Sequence, residues 1–427
     1  MSAVLLSLLA TSLMAQDPNS SDPKERRRAA EEMARKGAEA IPTLQKMLSD
    51  PDLDVRIEAV KSIVVIDTEK SLEPLVRATR DSDPEIQVRA TDGLVNFYLP
   101  GYVRSGLSAT LRRAGRQIKG KFTDTNDQVI DLYLEAKPEI VEALGKLARG
   151  GASMESRANA ARAVGVLRGK SAVSDLIAAI KSTKDSQVMF ECLIAFQKIR
   201  DRSAAPQLTF LLRDLDERVQ VAAVETQGLL YNMDALPRLR EVLARTDKKE
   251  VRRAALRSIA MLPDPPNRPV LQRYLQDKDD ELREAAAEGL GRIGDTQDLP
   301  VLEKRFAEET KNSPRVSAAF ALVMMGRTEM SEFSPLRYLV NTLNSSSRAM
   351  EARALLIEAA RKPEVRRTLH DSMIRGSSDE KIYLAQVMAA SGDSEQLPLL
   401  EQLSRDPDVK VAQEGLRALR VLKARVQ

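Results

Sequence analysis

The sequence predicts an all-α protein, an α–α superhelix of about twelve two-helix repeats. Prolines beside apolar residues recur at one or two steps of roughly 31–35 residues. Short acidic turns, such as residues 49–52 (SDPD), stand before alanine-rich runs. No stretch of convincing length alternates apolar and polar residues, as a half-buried strand would. Repetition at such a period is typical of stacked helical arrays, so we expect one continuous solenoid.

Prolines mark the first helix of each repeat. A proline is tolerated in the first turn of a helix because the amide there needs no intrahelical acceptor. Positions near 106, 172 and 366 fit the same period without a proline, which brings the count to twelve. The marking residues are Pro42, Pro74, Pro138, Pro206, Pro237, Pro269, Pro300, Pro335 and Pro398.

The second helix of each repeat is richer in alanine. In residues 281–294 (ELREAAAEGLGRIG), apolar or small residues fall at i, i+3, i+4, i+7, i+8 and i+11, which is one stripe of an α-helix. Small residues on the stripe allow neighbouring helices to approach closely, and the turn aspartates can cap the helix that follows. The stripe consists of Leu282, Ala285, Ala286, Gly289, Leu290 and Ile293.

These repeats resemble the HEAT family, including the short bacterial HEAT-like repeats of the phycobilisome-lyase type, over about residues 22–423. HEAT repeats commonly carry an aspartate in the turn and an arginine in the second helix. The resemblance implies a ladder of ion pairs between neighbouring repeats; the alternative is an arginine row that binds an anionic ligand. The residues that fit, six apart, are Asp50 and Arg56, Asp83 and Arg89, Asp247 and Arg253, and Asp277 and Arg283.

The ends of the chain differ from the array. Residues 3–15 are apolar or hydroxylic, and at 13 residues they are too short to span a bilayer. We interpret residues 1–15 as a signal peptide and expect a periplasmic or secreted protein. The alternative is the apolar N-terminus of a cytoplasmic protein. Residues 16–37 predict a linker and a capping helix, and residues 38–427 the continuous HEAT-repeat solenoid.

One repeat, at about residues 99–137, departs from the pattern. No Asp or Glu occurs from Gly93 to Thr123. A basic amphipathic helix is typical of contacts with acidic proteins or anionic membrane surfaces. We therefore predict partner binding here; the alternative is a drifted repeat with solvated cations. The predicted contact residues are Arg104, Arg112, Arg113, Arg116, Lys119 and Lys121.

Composition narrows the function classes. The only cysteine, Cys192, lies in an apolar run, and the only histidine is His370, so a catalytic dyad or a histidine-based metal site is disfavoured. The chain has no Trp and a net charge of +4, which disfavours nucleic-acid binding. We predict a non-catalytic scaffold that binds proteins, with no cofactor or metal. The alternatives are a HEAT-like lyase or chromophore-attachment factor and a nucleic-acid-binding HEAT protein.

Overall fold

A computed structural model describes residues 17–102, 128–131 and 134–426. They fold into α-helices and short 3₁₀ helices, with no strand in these ranges, which confirms the predicted all-α class. Eleven of the twelve predicted helix pairs lie in the described ranges. The chain divides into two compact units, Met1–Ala204 and Ala205–Gln427.

The first compact unit contains nine described helices and two 3₁₀ segments, Ala34–Ala40 and Lys170–Ala172. The α-helices are α1 (Pro23–Met33), α2 (Ile41–Met47), α3 (Leu53–Ile66), α4 (Glu69–Ala78), α5 (Pro84–Tyr98), α6 (Pro138–Gly150), α7 (Met154–Val166), α8 (Val173–Ser182) and α9 (Ser186–Ile199).

The second compact unit begins at Ala205, inside the 3₁₀ helix Arg202–Arg213. Its helices are α10 (Glu217–Leu229), α11 (Leu236–Arg245), α12 (Lys249–Met261), α13 (Arg268–Tyr274), α14 (Asp280–Ile293), α15 (Leu299–Glu308), α16 (Asn312–Met324), α17 (Pro335–Thr342), α18 (Ala349–Ala359), α19 (Pro363–Arg375), α20 (Ser378–Ser391), α21 (Leu397–Leu403) and α22 (Val409–Val426).

The acidic turns start the second helices. A helix leaves its first amides without an intrahelical acceptor, and an aspartate at the N-cap supplies one. The Asp52 carboxylate accepts from the Val55 amide at 3.1 Å, and Asp185 does the same for Val188 at 2.9 Å. Asp279 likewise accepts from the Glu281 amide. The repeated turn therefore fixes where each of these helices begins.

Small residues set the distance between neighbouring second helices. A Cβ placed on Gly228 would lie 2.8 Å from the Ser258 Cα, and one on Gly291 would lie 2.5 Å from the Ala321 Cα. The Ser258 hydroxyl donates to the Val224 carbonyl at 2.8 Å across the same contact. Glycine is required here because any side chain would collide with backbone.

The predicted stripe of α14 forms part of the core. Leu282, Ala285, Ala286 and Leu290 are buried, as is Gly289. Ile293, the last residue of the helix, is only partly buried. The apolar period therefore predicts which face packs, and burial weakens where the helix ends.

The N-terminal helix α1 packs on α3 as a lone second helix, in the region predicted to cap the array. Arg27 and Arg28 are exposed, as expected for a polar outer face. Arg26 instead pairs with Asp50, its Nε lying 2.8 Å from the carboxylate. This arginine therefore belongs to the ladder described below.

Candidate functional site

The fourth residue of several second helices donates to a backbone carbonyl in the segment just before its own helix. Arg56 Nη1 lies 3.0 Å from the Asp50 carbonyl, and Arg283 Nη1 lies 2.9 Å from the Asp277 carbonyl. A turn carbonyl has no helical backbone donor, and a long N–H side chain can satisfy it. The six-residue spacing thus joins each of these arginines to the aspartate backbone, not to its carboxylate.

Glutamine fills the same position in other repeats. Gln87 Nε2 donates to the Asp81 carbonyl at 2.7 Å, and Gln220 Nε2 donates to the Leu212 carbonyl at 2.9 Å. An amide and a guanidinium both reach this acceptor because both are long N–H donors. The Asp–Arg spacing does not reveal these glutamines. Their shared place, the fourth residue of a second helix, does.

The carboxylates bind the arginine of the preceding repeat. Asp50 pairs with Arg26, whereas the Arg56 Nε reaches Asp81 of the next repeat at 3.0 Å. Arg283 continues the series with its Nε 2.9 Å from Glu309. The ladder therefore runs between repeats, as the resemblance implies, with partners some 25 residues apart in place of six.

The two other predicted pairs have different partners. Asp83 caps α5, accepting from the Glu85 amide at 2.8 Å, and Arg89 pairs with the Glu85 carboxylate at 2.6 Å. Arg253 pairs with Asp279 at 2.9 Å. The structure shows no bond from Arg253 to Asp247 in the ranges it describes.

Hydrogen bonds lower the pKa of two ladder carboxylates, Asp50 and Glu309. The bond from Arg26 lowers the pKa of Asp50. Burial acts to raise the pKa of Glu309, but the hydrogen bonds from Arg283 and the Lys311 amide lower it below its ordinary value. Both carboxylates are thus stabilised in the charged form, which fits a structural role.

A second group of carboxylates lies on α14 and α18. We call Glu281, Glu284, Glu288 and Glu351 the Glu284 cluster. Three members have partners: Glu281 pairs with an arginine on α12, and the other two accept from hydroxyls of α16. Glu284 has neither an ion pair nor a hydrogen bond to its side chain among the described residues, although it is partly buried.

The cluster carries more negative charge than its surroundings neutralise. Burial, together with the negative charges of Glu351, Glu288 and Glu281, raises the pKa of Glu284 to about 7. Burial also raises the pKa of Glu351. A carboxylate without a partner beside like charges favours protonation or a cationic ligand.

Arg292, whose side chain is only 10% exposed, adjoins the cluster without pairing with Glu284. Arg292 lies 2.8 Å from Glu358 and 3.1 Å from Glu288. Burial acts against its charge, but these bonds hold the pKa of Arg292 above its usual range. Its guanidinium also lies over the Phe320 ring, 5.3 Å from the centroid. The charge of Arg292 is thus already neutralised by Glu358 and Glu288. The negative charge of Glu284 remains without a cationic partner among the described residues.

The Glu284 cluster is not among the sites predicted from the sequence. Glu281, Glu284 and Glu288 stand at i, i+3 and i+7, so a shared helix face could have been recognised. Glu351 belongs to a repeat two further along the chain, and only packing brings it near. The composition, in which acids and bases nearly balance, gives no sign of a local surplus.

The remaining predicted features are placed as follows. The basic contact residues between 104 and 121 lie outside the described residues. Cys192 is buried, and burial raises the pKa of its thiol well above the usual range. Across the described ranges, no group of His, Cys, Asp or Glu could hold a metal ion. In those ranges no helix has the length and apolar character needed to cross a membrane.

This chain is similar to the solved structures of several proteins. The complex of CpcE and CpcF of phycocyanin lyase from Nostoc sp. PCC7120 is 22% identical with a TM-score of 0.38, covering 63% of this chain and 92% of that one. The YibA protein of E. coli is 18% identical with a TM-score of 0.41, covering 73% of this chain and 99% of that one. Importin beta is 15% identical with a TM-score of 0.38, covering 94% of this chain and 57% of that one.

Sequence comparison assigns the family. No curated protein matches this chain. The family described as HEAT repeats matches residues 11–94, 141–227, 206–272 and 236–323, which together make up more than half of the chain. The matched ranges include ladder positions from Arg26 to Arg283 and all of helix α14. The chain belongs to the HEAT-repeat family.

Proposed function

We propose that this protein is a non-catalytic HEAT-repeat scaffold, and that the Glu284 cluster contacts a cationic segment of a partner protein. The observation that carries the proposal is Glu284 itself. It is partly buried, faces three other carboxylates and has no ion-pair or hydrogen-bond partner among the described residues. HEAT-repeat solenoids commonly bind proteins, which supports the scaffold role.

Electrostatics selects the kind of partner. A lysine or arginine placed beside Glu284 would relieve repulsion that the free protein must otherwise bear. Glu351 and Glu288 accept hydrogen bonds from serine hydroxyls, so an incoming cation would find Glu284 as the free acceptor within a negative field. The same field would repel a nucleic-acid backbone at this surface.

A peptide titration tests the proposal. The probe is a capped decapeptide of alternating Lys and Ser. The control is a capped decapeptide of alternating Glu and Ser, and isothermal titration calorimetry gives the Kd of each. We expect the double variant Glu284→Gln with Glu351→Gln to bind the Lys–Ser peptide at least five times more weakly than wild type. We expect no binding of the Glu–Ser peptide.

The matched control removes two exposed carboxylates elsewhere. Glu332→Gln with Glu364→Gln makes the same change in net charge without touching the cluster. Its affinity should remain within twofold of wild type. Equal weakening in both double variants would show that only net charge matters and would refute the assignment to Glu284.

A second contact is proposed for the basic repeat. Its six cations, without an acidic residue between Gly93 and Thr123, favour an acidic partner or an anionic membrane surface. Arg112→Glu, Arg113→Glu and Arg116→Glu together should abolish sedimentation with vesicles containing phosphatidylserine while leaving the helical melt unchanged. An early melt with binding retained would instead assign these residues to folding.

Export to the bacterial periplasm is also proposed, because residues 3–15 have the length and polarity of a signal-peptide core. With Ala15 before the cleavage site, the mature protein would begin at Gln16. Mass spectrometry of protein expressed in a bacterium should find that end in the periplasmic fraction. Intact Met1 on cytoplasmic protein would contradict export.

A further inference from the structure

A small cavity lies between α19 and the start of α21, on first helices and not on the second helices that carry the Glu284 cluster. Its volume is about 200 Å³, and it is lined by Arg366, Arg367, His370, Glu395, Gln396 and Leu399. Three of the six lining residues, Arg366, Arg367 and His370, carry a guanidinium or imidazole group that can donate hydrogen bonds. The cavity is therefore rich in donors.

Arg366 lines the cavity and is only 8% exposed. Its Nη1 donates to the Ala360 carbonyl at 2.9 Å and to the Arg361 carbonyl at 3.1 Å, and its Nη2 pairs with Asp393. Its Nε has no acceptor although it is buried. This atom is enclosed by protein, so Arg366 shapes the cavity wall and leaves ligand binding to the exposed groups beside it.

Two further donors at the cavity are unused. Arg367 and His370 stand one turn apart on α19, are exposed, and have no hydrogen bond or ion pair with the described residues. Guanidinium groups bind carboxylates well because their N–H fork matches the two oxygens. The arrangement offers the exposed Arg367 guanidinium and the His370 imidazole to one oxyanion at the cavity.

Glu395 and Leu399 restrict the ligand. Glu395 adds a negative charge to the lining, which disfavours ligands with several charges, such as phosphate dianions. Leu399 gives an apolar wall that suits a methylene or methyl group. We infer that the cavity binds a single carboxylate on a short aliphatic stem, either a free monocarboxylic acid or an acidic side chain of another protein.

The lone histidine makes the test selective. With no other histidine in the chain, protein prepared without a histidine tag and labelled with ¹³C-histidine gives one imidazole signal, that of His370. Acetate and a capped Gly-Asp-Gly peptide are titrated separately at constant ionic strength, with sodium chloride as the reference. We expect a saturable shift of the signal with acetate, with the peptide, or with both.

The two probes distinguish the sources of the carboxylate. Saturation by the peptide alone would assign the site to an acidic side chain, and saturation by acetate would allow a free acid. A shift that does not saturate, or that sodium chloride reproduces, would overturn the inference. Saturation by inorganic phosphate alone would also overturn it, because the ligand would then not be a carboxylate.

Two arginine variants separate binding from general charge. Arg367→Gln should weaken binding at least tenfold, whereas Arg375→Gln, on the same helix but outside the cavity, should change it less than twofold. Equal effects of the two variants would refute the site. Thermal melts of both variants establish that the fold is intact, since neither residue is buried.

Discussion

Arg283 and Glu284 are neighbours on one helix, yet their environments are opposite. Arg283 is 8% exposed and has bonds to Glu309, to Asp280 and to the Asp277 carbonyl. Glu284 is partly buried and has no side-chain partner among the described residues. The pKa of Arg283 is raised by its partners, and that of Glu284 is raised by burial and repulsion.

This difference distinguishes charges that stabilise the fold from charges that can bind a ligand. A charged pair with complete hydrogen bonding is part of the fold, and removing one partner leaves the other charge buried. A carboxylate that remains unpaired lowers stability in the free protein, and it gains most from a ligand. Adjacent residues can therefore have unrelated roles, since successive side chains of a helix point in directions about 100° apart.

The largest effect is expected for Arg283→Ala. The change leaves Glu309, whose side chain is 3% exposed, without its main partner, so the free energy of unfolding should fall by about 3 kcal/mol. In a repeat array the loss should be local, appearing as faster hydrogen exchange over residues 277–309. Unchanged protection there, together with lost ligand binding, would favour the arginine-row interpretation.

The next largest effect concerns the close packing of α14 against α16, which holds both Arg283 and Glu284 in place. Gly291→Val places a Cβ 2.5 Å from the Ala321 backbone, and the free energy of unfolding should fall by about 2 kcal/mol. Gly150→Ala is the control, because a Cβ there meets nothing within 4 Å. Chemical denaturation measures both. Equal effects would mean that the helices can separate without cost.

The smallest effect has the opposite sign. A carboxyl whose pKa is higher in the folded state holds its proton more tightly there, so its contribution to stability falls as pH rises. For Glu284 this window lies between its ordinary pKa and about 7. Glu284→Gln should therefore be more stable than wild type at pH 8, by about 1 kcal/mol or less given its partial exposure.

Melts across the pH range check this prediction. The difference between wild type and Glu284→Gln should grow from pH 5 to pH 7.5 and then level off. Glu364→Gln, which alters an exposed carboxylate, should show no such trend. A constant difference across the range would mean that Glu284 does not titrate in this window.

The sequence by itself determined the repeat and the packing face. The proline period locates the first helices, and the stripe from Leu282 to Leu290 identifies the buried side of α14. Both signals are local, because a turn, a cap and an apolar period are completed within one repeat. This is why fold class and helix positions were predictable.

Only the tertiary structure decided which charges are satisfied. The spacing of Asp50 and Arg56 suggests that they pair with each other. In the packed repeats the Asp50 carboxylate instead pairs with Arg26, and the Arg56 Nε pairs with Asp81. Part of the negative charge that repels Glu284 comes from Glu351, which lies 67 positions away in sequence. Charge–charge energies depend on distance and burial across repeats, and neither quantity is encoded in spacing along one helix.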